Sequence, residues 1–314
     1  LGGSDGGRRP LPSGEAGDLV REAREKSLGV EGLEPLVSRD FYTVDINSVD
    51  PSIDAEEWSM TVTGAVDEEV TVDLETLREM ESREEFVSLR CVGESLNGRK
   101  MDTALWTVVD VMPLLEQAGA PDECCVMLRA ADDFYEEFPR EALEEGMLAY
   151  QMNGRDLPRS HGAPVRALIP GHWGEINVKW LTEIEVLEEP ADGYWEERGW
   201  HGTGPVNTVA KLHVTNRLSD GRFEIAGHAY AGTRGVETVE VSTDGGETWT
   251  EAELSAPLPD DDVWRQWVHR YDPPDAPHDV VVRAVDGEGT VQPQAETGPF
   301  PSGPTGWVTE TVQP

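Results

Sequence analysis

The chain has 314 residues, with 62 Asp plus Glu against 25 Lys plus Arg, a formal net charge of −37. A nucleic-acid binder needs a basic stripe to displace counterions, and an anionic membrane surface repels so acidic a chain, so both partner classes are excluded. Disorder often accompanies such a balance, but 38% hydrophobic residues, 10 Trp and acids scattered among apolar positions argue for a packed core.

The cations narrow the reading. Only Lys26, Lys100, Lys179 and Lys211 are lysines, and the rest are arginine. An acid-coated surface that sheds lysine reads as a solvation device for high salt, where screening falls to roughly 3 Å at 1 M. The length suggests two domains of ordinary size. Three cysteines, Cys91, Cys124 and Cys125, cannot make a disulfide framework. The adjacent Cys124 and Cys125 read as poorly placed to pair with each other and as core packing. No apolar run approaches the ~18 residues of a membrane span.

In chain order, residues 1–31 open on Gly2, Gly3, Gly6, Gly7, Pro10 and Pro12 and read as a flexible linker, with a short amphipathic helix near 18–27 as a tether. Residues 58–64 alternate as a strand, and 70–72 form another. Asp73 is placed to cap a helix over 74–80. Residues 86–91 make a strand that ends at Cys91, just before Gly93. Helical spacing runs over 108–118 and stops at Gly119. Strands follow at 126–130 and 149–152, with a short helix at 140–145 and a turn at Asn153-Gly154. Two more strands, at 164–169 and 178–186, flank a loop through Pro170, Gly171 and Gly174. Irregular interleaving favours an α+β class over a doubly wound parallel sheet. Residues 190–207 are a Trp- and Gly-rich connector. Beyond it, strands recur about every ten residues from 208 to 285, with a turn at Asp244-Gly245-Gly246. That pattern suggests an immunoglobulin-type β-sandwich lacking the Cys…Trp…Cys set.

Several chemistries have no motif here. GxGxxG, GxxxxGK[ST], HExxH, CxxC, GxSxG and the haem-attachment CxxCH are all absent, and the seven histidines are isolated. Two features remain. Cys91 is either a buried small hydrophobe or a nucleophile or soft-metal ligand at a strand end. His161, Arg166 and Lys179 lie within 19 residues across Gly-rich loops. Either they pair with some of the acids or they hold a phosphate-like anion, to which glycine amides can approach closely.

The segments 40–46, 58–64 and 89–92 resemble the molybdenum domain of the sulfite oxidase family. So do Ala149-Tyr-Gln-Met-Asn-Gly154, His161-Gly-Ala-Pro-Val-Arg166 and Val178-Lys-Trp-Leu181. Segments 225–227, 239–249, 264–267 and 282–284 resemble that family's immunoglobulin-like dimerisation domain. The resemblance runs in order from about residue 32 to the end. It implies a molybdopterin-binding oxidoreductase domain over 32–207 and a dimerisation domain over 208–314. It also implies molybdenum held by a pyranopterin dithiolene (molybdopterin) and one thiolate, with Cys91 at the thiolate position. Phe41 and Tyr42 would line the pterin, and His161, Arg166, Lys179 and the loop from Gly171 to Gly174 would cradle it and its phosphate. Trp200 aligns with a tyrosine near the metal.

The implied reaction is two-electron oxygen-atom transfer on a small oxoanion, with a redox partner and a homodimer. Thr43, Val44 and the stretch Gly93-Glu-Ser-Leu96 stand where eukaryotic sulfite oxidases carry arginines. This favours, as an alternative, a neutral substrate such as a sulfoxide undergoing reduction. Arg265 is a further candidate charge. A metal-free binding or assembly module on the same fold is the reading from another class. Met152-Asn-Gly and Tyr194 to Trp200 look closer to a prokaryotic branch. In that branch soluble domains often follow membrane helices, which implies an extracytoplasmic soluble segment tethered by an N-terminal region.

The charge reading has a direct test. In dilute buffer the chain should lose secondary structure that molar KCl restores, as followed by circular dichroism. Full helical and strand signal without added salt would refute it.

Overall fold

A computed structural model describes residues 12–313. The first part of the chain builds two sheets. One has the strand order Val70–Asp73, Ser59–Gly64, Leu181–Leu187, Cys125–Ala130, Tyr135–Pro139, with the Ser59–Gly64 and Leu181–Leu187 pair parallel. The other is antiparallel and runs Ser82–Arg90, Met101–Asp110, Met147–Met152, Arg155–Asp156, with Arg166–Leu168 also on Met147–Met152. Short helices Leu74–Glu79 and Met112–Ala118 complete this α+β unit. As its sequence position predicts, Asp73 caps the first of these, accepting the Thr76 N–H at 2.8 Å.

The second part is a sandwich of two antiparallel sheets. One is centred on Phe223–Tyr230 and Arg265–Tyr271, the other on Val236–Ser242 and His278–Asp286. Val239, Val241, Trp267, Val280 and Val282 fill the space between them. The immunoglobulin-like reading therefore holds. Among the described residues no helix is long and apolar enough to cross a membrane.

Three expectations need correction, and two strands were not expected. The helical spacing over 108–118 spans two elements: Met101–Asp110 is a strand, and the helix begins only at Met112. Nine consecutive residues of that strand are buried, so it lacks the alternation that betrays a half-buried strand. Within the expected linker over 1–31, Glu15–Glu25 is a helix whose Val20 and Ala23 are buried against Leu36, Phe86 and Trp264. Those two residues, three apart, share one helix face, which docks instead of floating as a tether. Residues 1–11 lie outside the described residues. Cys124 and Cys125 do pair: Cys124 turns to φ 62° and the sulfurs bond. Finally, Tyr135–Pro139 and Val308–Val312 are strands with no clear alternation in sequence.

The two parts meet across buried polar groups. Glu94, three residues after Cys91, ion-pairs with both Arg90 (2.9 Å) and Lys211, and all three side chains are essentially inaccessible. Lys211 also donates to the Gly98 carbonyl (2.8 Å), and Arg90 donates to the Asn207 carbonyl (2.9 Å). Burial pushes the Lys211 ammonium down to about 8, with the nearby Arg90 charge adding to the shift and Glu94 opposing it. Asp262 repeats the device: it accepts from Tyr230 Oη (2.6 Å) and from the Gly171 N–H (2.9 Å). Removing one partner of a buried ion set leaves an uncompensated charge, at a cost of about 3–5 kcal/mol. Glu94→Ala should therefore lower stability by about that amount in molar salt, read from denaturant unfolding. A loss below about 1 kcal/mol would show that the triad does not hold the junction.

Candidate active site

A cavity of about 230 Å³ opens where the two sheets of the first part meet the connector. Cys91 lies on its wall. Its position follows from the strand Ser82–Arg90, which ends one residue earlier. The loop then turns back, with the Cys91 N–H donating to the Lys100 carbonyl at 3.0 Å. Cys91 is the only free thiol. Burial raises its pKa, while the Gly93 N–H and Lys100 pull it down.

Opposite chemistry comes from the segment 161–179. Arg166 is 4% exposed on its short strand. Its guanidinium donates to the Asn177 carbonyl (2.8 Å) and the His161 carbonyl (3.3 Å) and lies over the Trp106 ring at 5.3 Å. Its Nε is buried without a partner. Burial pushes this arginine down to about 10. Lys179 pairs with Asp45, donates to the Ser160 carbonyl (3.0 Å) and sits over Trp180. Burial, then the Arg166 and Lys179 charges, lower the His161 imidazole to about 4.

The aromatic wall is equally specific. Phe41 and Tyr42 stack at 5.6 Å, and Phe41 meets Trp106 and His161 edge-on. The Tyr42 N–H donates to Asp102 at 2.8 Å, which fixes the pair against the second sheet. A Cβ on Gly174 would lie 2.7 Å from Tyr42 Oη, so only glycine lets this turn close over the ring. Trp200 completes the wall, edge-on to Trp195 and Phe300.

Of the residues singled out in the sequence, Phe41, Tyr42, Cys91, His161, Arg166, Gly174, Lys179 and Trp200 all line this one cavity. Gly171 does not join them. Its N–H serves Asp262, and its carbonyl accepts from the Val206 N–H at 2.9 Å, so it belongs to the junction. Arg265 does not join them either; it bonds the Ser255 carbonyl (3.1 Å) on its own sheet. Sequence reasoning passed over Asp45, Lys100, Asp132, Glu175 and Trp195, which line the cavity as well. Lysine scarcity was the available signal for Lys100, since it applies as much there as to Lys179. Nothing in the local pattern marked the acids.

A soft thiolate donor, a flat aromatic wall and a buried guanidinium with a spare N–H suit a cofactor carrying a soft metal, a ring system and a phosphate. The architecture and the site together define a molybdopterin-binding oxidoreductase. Residues 47–195 match the family model described as "Oxidoreductase molybdopterin binding domain", and residues 205–298 match "Mo-co oxidoreductase dimerisation domain". The mitochondrial sulfite oxidase of Mus musculus is 29% identical over 297 residues, covering 77% of this chain and 54% of that protein. The sulfite oxidase of Arabidopsis thaliana is 30% identical over 179 residues, covering 47% and 45%. The solved sulfane dehydrogenase SoxCD of Paracoccus pantotrophus shares the fold, with a TM-score of 0.66 at 18% identity over 94% of this chain and 86% of that one. The chain belongs to the sulfite oxidase family of molybdopterin-dependent oxidoreductases. It spans about half the length of the relatives it matches.

The imidazole gives a test of the site's electrostatics. In cofactor-free protein His161 should stay neutral at pH 6 and protonate near pH 4, as followed by NMR. The unfolded state, with an imidazole near 6.5, binds that proton first, so this group's contribution to stability falls as pH drops from about 6.5 to 4. Titration at 6.5 in the folded protein would contradict the burial described here.

Proposed function

We propose that this chain is the catalytic portion of a molybdenum oxidoreductase that transfers an oxygen atom in a two-electron reaction, as a sulfite oxidase does. One observation carries the reading: a free thiol and a buried arginine with an unpartnered Nε line the same cavity. When bound, the cofactor supplies the two-electron redox couple and the oxygen exchange with water.

The chain's own residues supply the rest. Cys91 Sγ would be the thiolate ligand; burial raises its pKa, and the Gly93 N–H and Lys100 work against that shift. Phe41 and Tyr42 offer the pterin a flat apolar face. Arg166 and Lys179 hold the phosphate, with the His161 ring packed beside them and the Gly174 turn closing the cradle. Trp195 and Trp200 narrow the opening and exclude water from the reacting centre. Residues 32–207 hold the cofactor, and 208–314 provide the contact for a homodimer. Two electrons per turnover leave for a redox partner. The resemblance to the prokaryotic branch supports an extracytoplasmic location, which cell fractionation tests.

A second reading concerns the substrate. The cavity wall carries Asp45, Asp132 and Glu175 as well as cations, and Lys179 is already paired with Asp45. Lys100 is then the cation near Cys91 that remains for an oxoanion. Such a site also suits a neutral sulfoxide, which would be reduced while water is released. Sulfite-dependent reduction of an artificial acceptor, set against sulfoxide-dependent oxidation of a reduced viologen, separates the two directions.

Protein from a host that makes the pterin should carry about one molybdenum per chain. Cys91→Ala should lose the metal and at least roughly 100-fold in activity. Metal-free protein from that host would instead favour a binding or assembly module. Light scattering in molar salt should give twice the chain mass, and a clean monomer would end the dimer proposal.

A further inference from the structure

Behind the cavity wall lies a second group of donors. Glu136 sits on the strand Tyr135–Pro139, Glu175 in the turn Gly174–Ile176 and Glu196 in the turn Glu196–Arg198. Each offers one carboxylate oxygen, and these oxygens all lie within 4.8 Å of one another. Glu136 is 0% exposed and Glu175 9%. Among the described residues no lysine, arginine or histidine forms an ion pair with any of the three; Arg198, the nearest in sequence, pairs with Glu197.

The oxygens are also short of hydrogen bonds. Both carboxylate oxygens of Glu175 and both of Glu196 are buried without a partner. Glu136 accepts only two long contacts, from the Glu137 and Trp195 N–H groups at 3.4 Å each. Buried, unpartnered carboxylates are costly, and three converging from separate elements repel one another. The backbone nevertheless closes tightly over them. A Cβ on Gly193 would fall 1.5 Å from a Glu136 oxygen, and one on Gly202 2.1 Å from a Glu175 oxygen.

We infer that Glu136, Glu175 and Glu196 form a binding site for a hard divalent cation of calcium size. An all-oxygen, all-carboxylate set selects hard ions over soft ones. Calcium accepts several carboxylate oxygens in flexible geometry, whereas magnesium dehydrates reluctantly and is usually held by only one or two carboxylates, so a closed three-carboxylate set favours calcium. Without the ion, protons fill the role: burial first, then the neighbouring carboxylates, push the Glu136 and Glu175 carboxyls well above the ordinary range.

The ion would tie three elements together at the edge of the catalytic cavity. Glu175 and Trp195 line that cavity themselves, and Trp200 follows Glu196 by four residues. Trp200 also packs against the Cys91 loop, 3.6 Å from where a Cβ on Gly93 would lie. The cation is thus a positioning device for the aromatic wall over Cys91, and its binding does not depend on which substrate the enzyme takes.

The test uses protein from a pterin-competent host, stripped with a chelator and held in 2 M KCl. Calorimetric titration with Ca²⁺ should show one site per chain, and Mg²⁺ should bind at least tenfold more weakly. A hundredfold excess of Ca²⁺ over its Kd should raise Tm by about 5 °C. The double variant Glu175→Gln with Glu196→Gln should lose both responses. Terbium gives a readout that needs no carboxylate variant. Tb³⁺ luminescence excited through tryptophan should be displaced by one equivalent of Ca²⁺ and should fall at least twofold in Trp195→Phe, which still binds Ca²⁺ by calorimetry. Absence of a stoichiometric site, equal affinity for Mg²⁺, unchanged binding in the double variant, or luminescence indifferent to Trp195 would each overturn the proposal.

Discussion

Glu94 holds the molecule together at the place where its chemistry begins. Its carboxylate pairs with both Arg90 and Lys211, one from each part of the chain, and its second oxygen accepts the Lys100 N–H at 2.8 Å. Cys91 is bracketed by these contacts: Arg90 precedes it, and its own N–H donates to the Lys100 carbonyl. The loop that presents the thiol is therefore fixed by the same charges that dock the β-sandwich. Such a set is stabilising only while complete, because each ion alone would be stranded in a medium that solvates it poorly. Arg90 also lies over the Trp173 ring at 4.9 Å, which ties the triad to the turn at Gly174 and so to Tyr42.

The distribution of charge follows a simple division. Acids dominate the chain at −37, but three of the four lysines are in the interior or the site. Lys100 and Lys179 line the cavity, and Lys211 is buried at the junction. For Lys179 and Lys211 the retained lysine has a largely buried carboxylate partner, Asp45 and Glu94 respectively. The converse group, Glu136, Glu175 and Glu196, is an interior cluster of carboxyl groups that forms no ion pair with a cation among the described residues, which is why it stands apart from the acid shell.

Much of the site was legible in sequence because its residues come in short, ordered blocks. Cys91 follows a strand end, and His161 to Arg166, Gly174 and Lys179 lie along glycine-containing loops, whereas Phe41 and Tyr42 were legible only through the family resemblance; the α+β-then-sandwich order followed from where helical spacing stops. The errors have physical causes. A strand buried on both faces, as Met101–Asp110 is, carries no alternation, and its run of apolar residues blends into the following helix. The pairing of Cys124 with Cys125 needed a left-handed backbone turn that residue types do not announce. Gly171 looked like part of a cradle by proximity to Gly174, yet its N–H points to Asp262, 91 residues away in sequence.

By itself the sequence determined the acidic balance, the two-part order and the family. These depend on composition and on motifs that are contiguous along the chain. Only the tertiary structure decided which charges face each other. Glu94 meets Lys211 across 117 residues, Lys179 meets Asp45 across 134, and Glu136 meets Glu175 and Glu196 from two distant turns. Burial sets the strength of those encounters, and burial is a property of packing that no local stretch of residues contains.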